Sequence, residues 1–250
     1  MSVNDPQHPA PSAWCRCQPE TDLPRSRFHD LVPVMPLLLM DLDNTLVDRD
    51  AAFRAAVVDF LAQDGLPASD LTWVMAIDAG GYTTRQEVAA ALTDRYGGVV
   101  PTTTIHALLD NGAADRVVLA QSTREALGKA QAHGCSCVIV TNGRTVQQEA
   151  KIRNTRLDQL VQGWVISESV GHKKPEPEIF QAAAATVNLA LPGAWVIGDS
   201  PHADIASAHM LGLRSVWVTN GHAWTQDSYW PTHVADDDAS AINHTIRTSR

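Results

Sequence analysis

The stretch MPLLLMDLDNT, residues 35–45, decides the fold of this 250-residue chain. A short apolar run ends there in two aspartates, and further short runs end in polar or Gly-containing loops: CSCVIVTNG, GWVISES, AWVIGDS and LRSVWVTNG. Such runs are typical of strands buried on both faces of a parallel sheet. Helical patterns at Thr145–Arg153, Pro177–Leu189 and Ala203–Leu211 alternate with them. We therefore predict an α/β fold with a doubly wound, Rossmann-like parallel sheet, with ligands bound at the carboxyl ends of its strands.

The spacing of the runs also predicts the domain organisation. Residues 1–33 are rich in proline and lack periodicity, which indicates a flexible leader. About ninety residues separate the first two strands, and their amphipathic patterns are helical. We predict that residues 47–119 form an inserted helical cap, and that residues 34–46 and 120–250 form the catalytic core.

Composition restricts the partners and the location. The chain has 19 Lys and Arg against 28 Asp and Glu, a net charge of -9, which disfavours nucleic acid as a partner. The longest apolar stretch is about nine residues, well short of the roughly 20 that cross a membrane. With no secretory signal pattern, we expect a cytoplasmic protein, either a monomer or a homodimer. The C-x-C pairs do not fit zinc spacing, and Cys15 and Cys17 have no inferable role.

The chemistry begins with Asp41 and Asp43, which end the first strand. Two carboxylates so close repel each other unless a divalent cation or a shared proton compensates. Mg²⁺ meets that need, because it favours carboxylate and carbonyl oxygens. Asp and Asn are also common turn residues, so a turn without a metal is the alternative.

Three more polar motifs follow predicted strands: Val140–Gly143, Gly171–Pro177 and Gly198–Asp204. They offer a hydroxyl and amides for phosphate oxygens, a lysine before a helix, and two more acids. Each alone could be a helix cap, a solvated lysine or a capping turn. Together, at the same edge of a sheet, they indicate a site for phosphate and metal.

In this order the four motifs resemble those of the haloacid dehalogenase-like hydrolase superfamily, most of whose members are Mg²⁺-dependent phosphatases. The resemblance covers Pro36–Val234. The long insert resembles the helical cap of one subgroup. Dehalogenase members lack the second aspartate, so Asp43 argues against halide displacement.

The resemblance implies catalytic roles for three residues. Asp41 would be the nucleophile that forms an aspartyl-phosphate intermediate. Asp43 would be the general acid and base, and Lys174 would neutralise charge on Asp41 and the phosphoryl group. The resemblance also implies that Thr141 and Asn142 bind phosphate. It implies that Mg²⁺ is bound by Asp41, the backbone carbonyl of Asp43, Asp199 and Asp204. Asp204 would act on the metal either directly or through another ligand.

The predicted function is a Mg²⁺-dependent phosphomonoester hydrolase for a small phosphorylated metabolite. Substrate choice is expected to lie in the cap, where Arg54, Tyr82 and Arg85 are candidate contacts. One alternative is a sugar-phosphate mutase of the same superfamily. Another is a non-catalytic protein that binds a phosphorylated metabolite.

Overall fold

A six-stranded parallel sheet forms the centre of the computed structural model, which describes residues 36–249. The predicted leader, residues 1–33, lies outside the described residues, as do Cys15 and Cys17. The strand order is β3-β2-β1-β4-β5-β6, and every neighbouring pair is parallel. The strands are β1 Leu37–Met40, β2 Ser136–Thr141, β3 Gly163–Ile166, β4 Trp195–Gly198, β5 Arg214–Val218 and β6 His233–Ala235.

Helices lie in every connection between these strands except the loop that joins β5 to β6. The helices are α1 Arg49–Gln63, α2 Leu71–Asp78, α3 Arg85–Tyr96, α4 Thr102–Asn111, α5 Gln121–Ala132, α6 Thr145–Asn154, α7 Ser167–Val170, α8 Pro177–Thr186, α9 Ala206–Met210 and α10 Asp238–Thr248. Short 3₁₀ turns occur at Ala68–Asp70, Ala79–Gly81 and Leu157–Gln159, and a π-helical turn at Pro201–Ile205 leads into α9. None of the helices within residues 36–249 is long and apolar enough to cross a membrane.

Helices cover both faces of the sheet. Every residue of β1 is buried, and alternate side chains enter separate apolar clusters, as the two-residue repeat of a strand requires. Leu38 belongs to a cluster with Leu127 of α5 and Ile242 of α10. Leu39 belongs to the other cluster, with Phe180 of α8. The predicted α/β, doubly wound fold is confirmed.

Some predicted elements differ in their limits. The five predicted strands are present, but β6 has three residues and no apolar run to mark it. The helix expected over Pro177–Leu189 ends at Thr186. The helix expected over Ala203–Leu211 starts earlier, as the π-helical turn, because the Ser200 hydroxyl caps it by accepting a hydrogen bond from the Ala203 N–H.

The segment between β1 and β2 is helical, as the sequence indicates. Helices α1 to α4 pack on one another, with Phe60 and Trp73 both placed edge-on to Tyr96. Helix α5 instead packs on α10 and β2, so it belongs with the sheet. The cap limits of 47–119 remain a prediction.

Candidate active site

Three adjacent strands bring the sequence motifs together. Asp41 follows β1, Thr141 ends β2 and Asp199 follows β4, and β1 lies between the other two strands. Since carboxyl ends of parallel strands share one edge, these side chains meet there. Thr45 joins two of the motifs, because its hydroxyl donates to Asp199 Oδ1 at 3.2 Å and accepts from the Asp199 N–H at 3.0 Å.

Lys174 forms the buried ion pair at the centre of the site. Its Nζ lies 2.5 Å from Asp41 Oδ1 and 2.8 Å from Asp204 Oδ1. Burial raises the pKa of Asp41 to about 7, because the attraction of Lys174 offsets only part of the cost of removing the carboxylate from water and Asp204 adds repulsion. The two carboxylates raise the pKa of Lys174 despite its burial. Lys174 therefore remains a cation beside Asp41.

The donor set around Asp41 fits a hard divalent cation. One carboxylate oxygen from each of Asp41, Asp199 and Asp204 lies within 4.8 Å of the others. Burial, and then the charge of Asp41, raise the pKa of Asp199 to about 8. Lys174 alone therefore leaves negative charge uncompensated, and oxygen ligands of this kind suit Mg²⁺.

Asp204 has both oxygens engaged by the protein. Oδ1 accepts from Lys174, and Oδ2 accepts from the Ser200 N–H at 3.1 Å. The side chain is almost completely buried. This arrangement favours support of the site through Lys174 over direct binding of a metal.

The Asp43 carboxylate points to helix α6. Lys151 Nζ lies 2.7 Å from each of its oxygens, and Gln148 Nε2 donates to Oδ2 at 2.9 Å. Burial opposes ionisation of Asp43, but Lys151 and Gln148 outweigh it and lower the pKa of this carboxyl. Sequence reasoning missed Gln148 and Lys151. Their spacing of three residues, just after the T-N-G motif, was the available signal.

Asn142 connects two loops. Its side-chain Nδ2 donates to the Lys174 carbonyl at 3.1 Å, and its Oδ1 accepts from the Lys174 N–H at 2.8 Å. The side-chain amide of Asn142, which was predicted to bind phosphate, thus pairs with the backbone of Lys174 instead. The Thr141 hydroxyl accepts from Gln148 Nε2 at 2.6 Å and donates to the Asn142 carbonyl at 3.4 Å, a long hydrogen bond that a closer acceptor can replace.

A cavity of about 470 Å³ lies over these groups. Asp41, Asp43 and residues 80–85 of the helical insert line it. Two of the three predicted substrate contacts, Tyr82 and Arg85, are among the lining residues. Arg54 is not among them and is exposed on α1. Tyr82 is 66% exposed at the mouth of the cavity; partial loss of water around its hydroxyl and the nearby Asp199 raise its pKa to about 12, so the hydroxyl stays protonated.

A buried ion pair braces the insert beside this cavity. Arg49 Nη2 donates to Asp78 Oδ1 at 2.7 Å, and Nη1 donates to Asp78 Oδ2. Asp78 Oδ2 also accepts from the Gly81 N–H at 3.0 Å, which ties the loop carrying Tyr82 to α2. Arg85 Nη1 lies 3.9 Å from Asp78 Oδ1 and is buried with no hydrogen-bond partner within the described part of the chain. The Arg85 side chain as a whole is 30% exposed and lines the cavity, so the accessible part of its guanidinium can contact a polar ligand group.

Residues 38–218 match the family model described as haloacid dehalogenase-like hydrolase. The chain is 35% identical over 83 residues to a glyceraldehyde 3-phosphate phosphatase of Pyrococcus abyssi, an alignment that covers 33% of this chain and 35% of that protein. It thus spans about a third of the length of this curated relative.

Longer alignments also exist. The chain is 27% identical over 197 residues to a ribulose-1,5-bisphosphate 5-phosphatase of Halopiger xanaduensis, covering 72% of this chain and 82% of that protein. Among solved structures, the magnesium-bound HAD-hydrolase YfnB of Bacillus subtilis has the same fold, with a TM-score of 0.67 and 23% identity over 86% of this chain and 99% of that one.

Proposed function

Because the chain belongs to the haloacid dehalogenase-like hydrolase family, we propose that it is a Mg²⁺-dependent phosphatase that hydrolyses phosphomonoesters of small metabolites. The observation that carries the proposal is the Asp41 carboxylate, held 2.5 Å from Lys174 below a cavity whose edge holds further carboxylates. The similarity to phosphatases that act on small phosphorylated compounds supports it.

Mg²⁺ would be held by Asp41, Asp199 and the backbone carbonyl of Asp43, with Asp204 supporting the site, and it would supply positive charge against the phosphoryl oxygens. The similar structure of YfnB is bound to magnesium, which supports Mg²⁺ as the choice of cation.

The reaction proceeds in two steps. A carboxylate oxygen of Asp41 attacks phosphorus, and the P–O bond to the leaving group breaks. Asp43, whose neighbours Lys151 and Gln148 favour its ionised form, first takes up a proton from water and then gives it to the departing oxygen. Asp43 then removes a proton from water, whose oxygen attacks the aspartyl-phosphate and releases phosphate and the Asp41 carboxylate. Lys174 stabilises the charge that builds up beside Asp41, and the Thr141 hydroxyl donates to a phosphoryl oxygen.

In this proposal, the helical insert between β1 and β2 selects the substrate. We assign residues 47–119 to a cap over the site, with Tyr82 and Arg85 contacting the part of the substrate that leaves. Arg54 takes no part in this arrangement, because it does not line the cavity. The proposal keeps the expectations of a cytoplasmic monomer or homodimer with no nucleic-acid partner.

Phosphate release from a panel of phosphorylated metabolites, with Mg²⁺ and with EDTA, tests the proposal. Wild type is expected to release phosphate only with Mg²⁺, and Asp41→Asn is expected to release none. Asp158→Asn, which removes an exposed carboxylate from the turn that follows α6, is the matched control and should keep wild-type turnover.

Full turnover by Asp41→Asn would refute the mechanism. Isomerised sugar phosphate accumulating faster than free phosphate would show a mutase instead. Metabolite binding without turnover, seen as a raised melting temperature, would show a binding protein.

A further inference from the structure

Two buried polar side chains of α6 carry out no step of the reaction just described. Lys151 and Gln148 are nearly inaccessible to solvent, at 3% and 2% exposed. Lysine and glutamine are seldom buried so completely without a partner that requires them. Both side chains contact the Asp43 carboxylate.

Helix α6 aims both groups at the same carboxylate. Residues three apart lie on one face of a helix, so Gln148 and Lys151 stand one above the other. Asp43 is the only carboxylate paired with Lys151 between residues 36 and 249. Both carboxylate oxygens are thereby held, which leaves the side chain little freedom to rotate.

Gln148 also connects Asp43 to the phosphate-binding loop. Its Nε2 lies 2.9 Å from Asp43 Oδ2, 2.6 Å from Thr141 Oγ1 and 3.2 Å from the Asn142 carbonyl. Gly143 makes room for this amide, because a Cβ there would lie 3.1 Å from Gln148 Cδ, and its φ of +147° suits glycine. One amide therefore sets the position of Asp43 relative to Thr141.

We propose that Lys151 and Gln148 are positioning residues that orient the Asp43 carboxylate for proton exchange with the leaving oxygen. This inference rests on the proposed phosphatase function. Catalysis by a general acid is worth ~10²–10⁴-fold and depends on the acid being within hydrogen-bond reach of the leaving oxygen. A carboxylate released from Lys151 would sample several rotamers, and only some of them reach that oxygen.

A comparison of two substrates distinguishes positioning of Asp43 by Lys151 from a general contribution of Lys151 to the stability of the fold. An alkyl phosphate needs a proton on its departing oxygen, whereas p-nitrophenolate leaves without one. Lys151→Met should therefore lower kcat/KM for an alkyl phosphate at least ~10-fold more than for p-nitrophenyl phosphate. Lys151→Arg, which can still contact both oxygens, should restore part of the loss.

Two further variants control the experiment. Arg153→Met removes an exposed cation from the same helix and should leave both substrates unaffected. In an Asp43→Asn background, Lys151→Met should cause no further loss on the alkyl phosphate, because residues that act through one another are not additive. If Lys151→Met fails to fold, as judged by thermal unfolding, Gln148→Met provides the same comparison between substrates.

Equal losses on both substrates, or the same loss with and without Asp43, would overturn the positioning role and leave the phosphatase proposal intact. A wild-type protein that releases no phosphate from any ester would overturn both. Selective loss on the alkyl phosphate, absent in the Asp43→Asn background, is the expected result.

Discussion

Removal of one charge from the Arg49–Asp78 pair is expected to destabilise the protein strongly. Asp78→Asn keeps the volume of the side chain and leaves the Arg49 guanidinium without its full counter-charge. Both side chains are nearly inaccessible, at 2% for Arg49 and 1% for Asp78. Breaking a buried pair from one side typically costs about 3–5 kcal/mol, because the remaining charge stays buried.

The structure places the expected loss at the lower end of this range, about 3 kcal/mol. The amide oxygen that Asp78→Asn introduces would still accept one bond from Arg49 or Gly81, and Asp50 Oδ1 remains 3.0 Å from Arg49 Nη1. For a chain of this size about 3 kcal/mol corresponds to a fall of roughly 6–12 °C in Tm. The free energy of unfolding in urea, followed by tryptophan fluorescence, measures it.

The matched control is the exposed Arg116–Asp59 pair, whose side chains are 37% and 54% exposed. Asp59→Asn should change stability by no more than about 1 kcal/mol. Replacing both buried charges, as Arg49→Met with Asp78→Leu, should recover much of the loss. A loss for Asp78→Asn no larger than that for Asp59→Asn would refute the reasoning from burial.

The site leads to further expectations. Burial raises the pKa of Asp41 to about 7 and that of Asp199 to about 8. Between about pH 4 and 8 the folded protein therefore holds protons that the unfolded chain has released. The free energy of unfolding in EDTA should consequently fall as the pH rises through that range. Saturating Mg²⁺ should remove most of this fall, since it binds the ionised carboxylates; an unchanged pH slope in urea titrations would count against the metal site. Gly198→Ala should abolish activity or folding, because its Cβ would lie 2.2 Å from the carboxyl carbon of Asp204, and phosphate release with thermal unfolding reports on both. Gly128→Ala, where nothing lies within 4 Å of the new Cβ, should be neutral or stabilise α5, and equal behaviour of the two variants would contradict the packing argument.

The sequence was most informative where strands end. Asp41, Thr141 and Asp199 could be predicted to meet because each follows a short, fully apolar run, and parallel topology brings such ends to one edge. The order of the strands in the sheet could not be predicted from periodicity. The short β6 could not be predicted either, because its three residues are fewer than a pattern of alternation needs.

Polar residues on helices were the least predictable. Gln148 and Lys151 resemble ordinary solvent-facing residues in sequence, but in the fold they are buried and contact Asp43 in the loop after β1. The same applies to α1, where Arg49 and Arg54 are five residues apart and so lie about 140° apart around the axis. One is buried against Asp78 and the other is exposed, a difference that depends on tertiary contacts.

The double hydrogen bond between Asn142 and the backbone of Lys174 has a consequence for recombination. The loop after β2 and the loop before α8 are 32 positions apart in the chain but are joined at both polar atoms of one amide. A chimaera with a crossover between residues 142 and 174 would combine loops shaped by different parents, and Lys174 would lose its register with Asp41. Exchange of segments between related proteins should therefore succeed only when the loop with Asn142 and the loop with Lys174 come from the same parent.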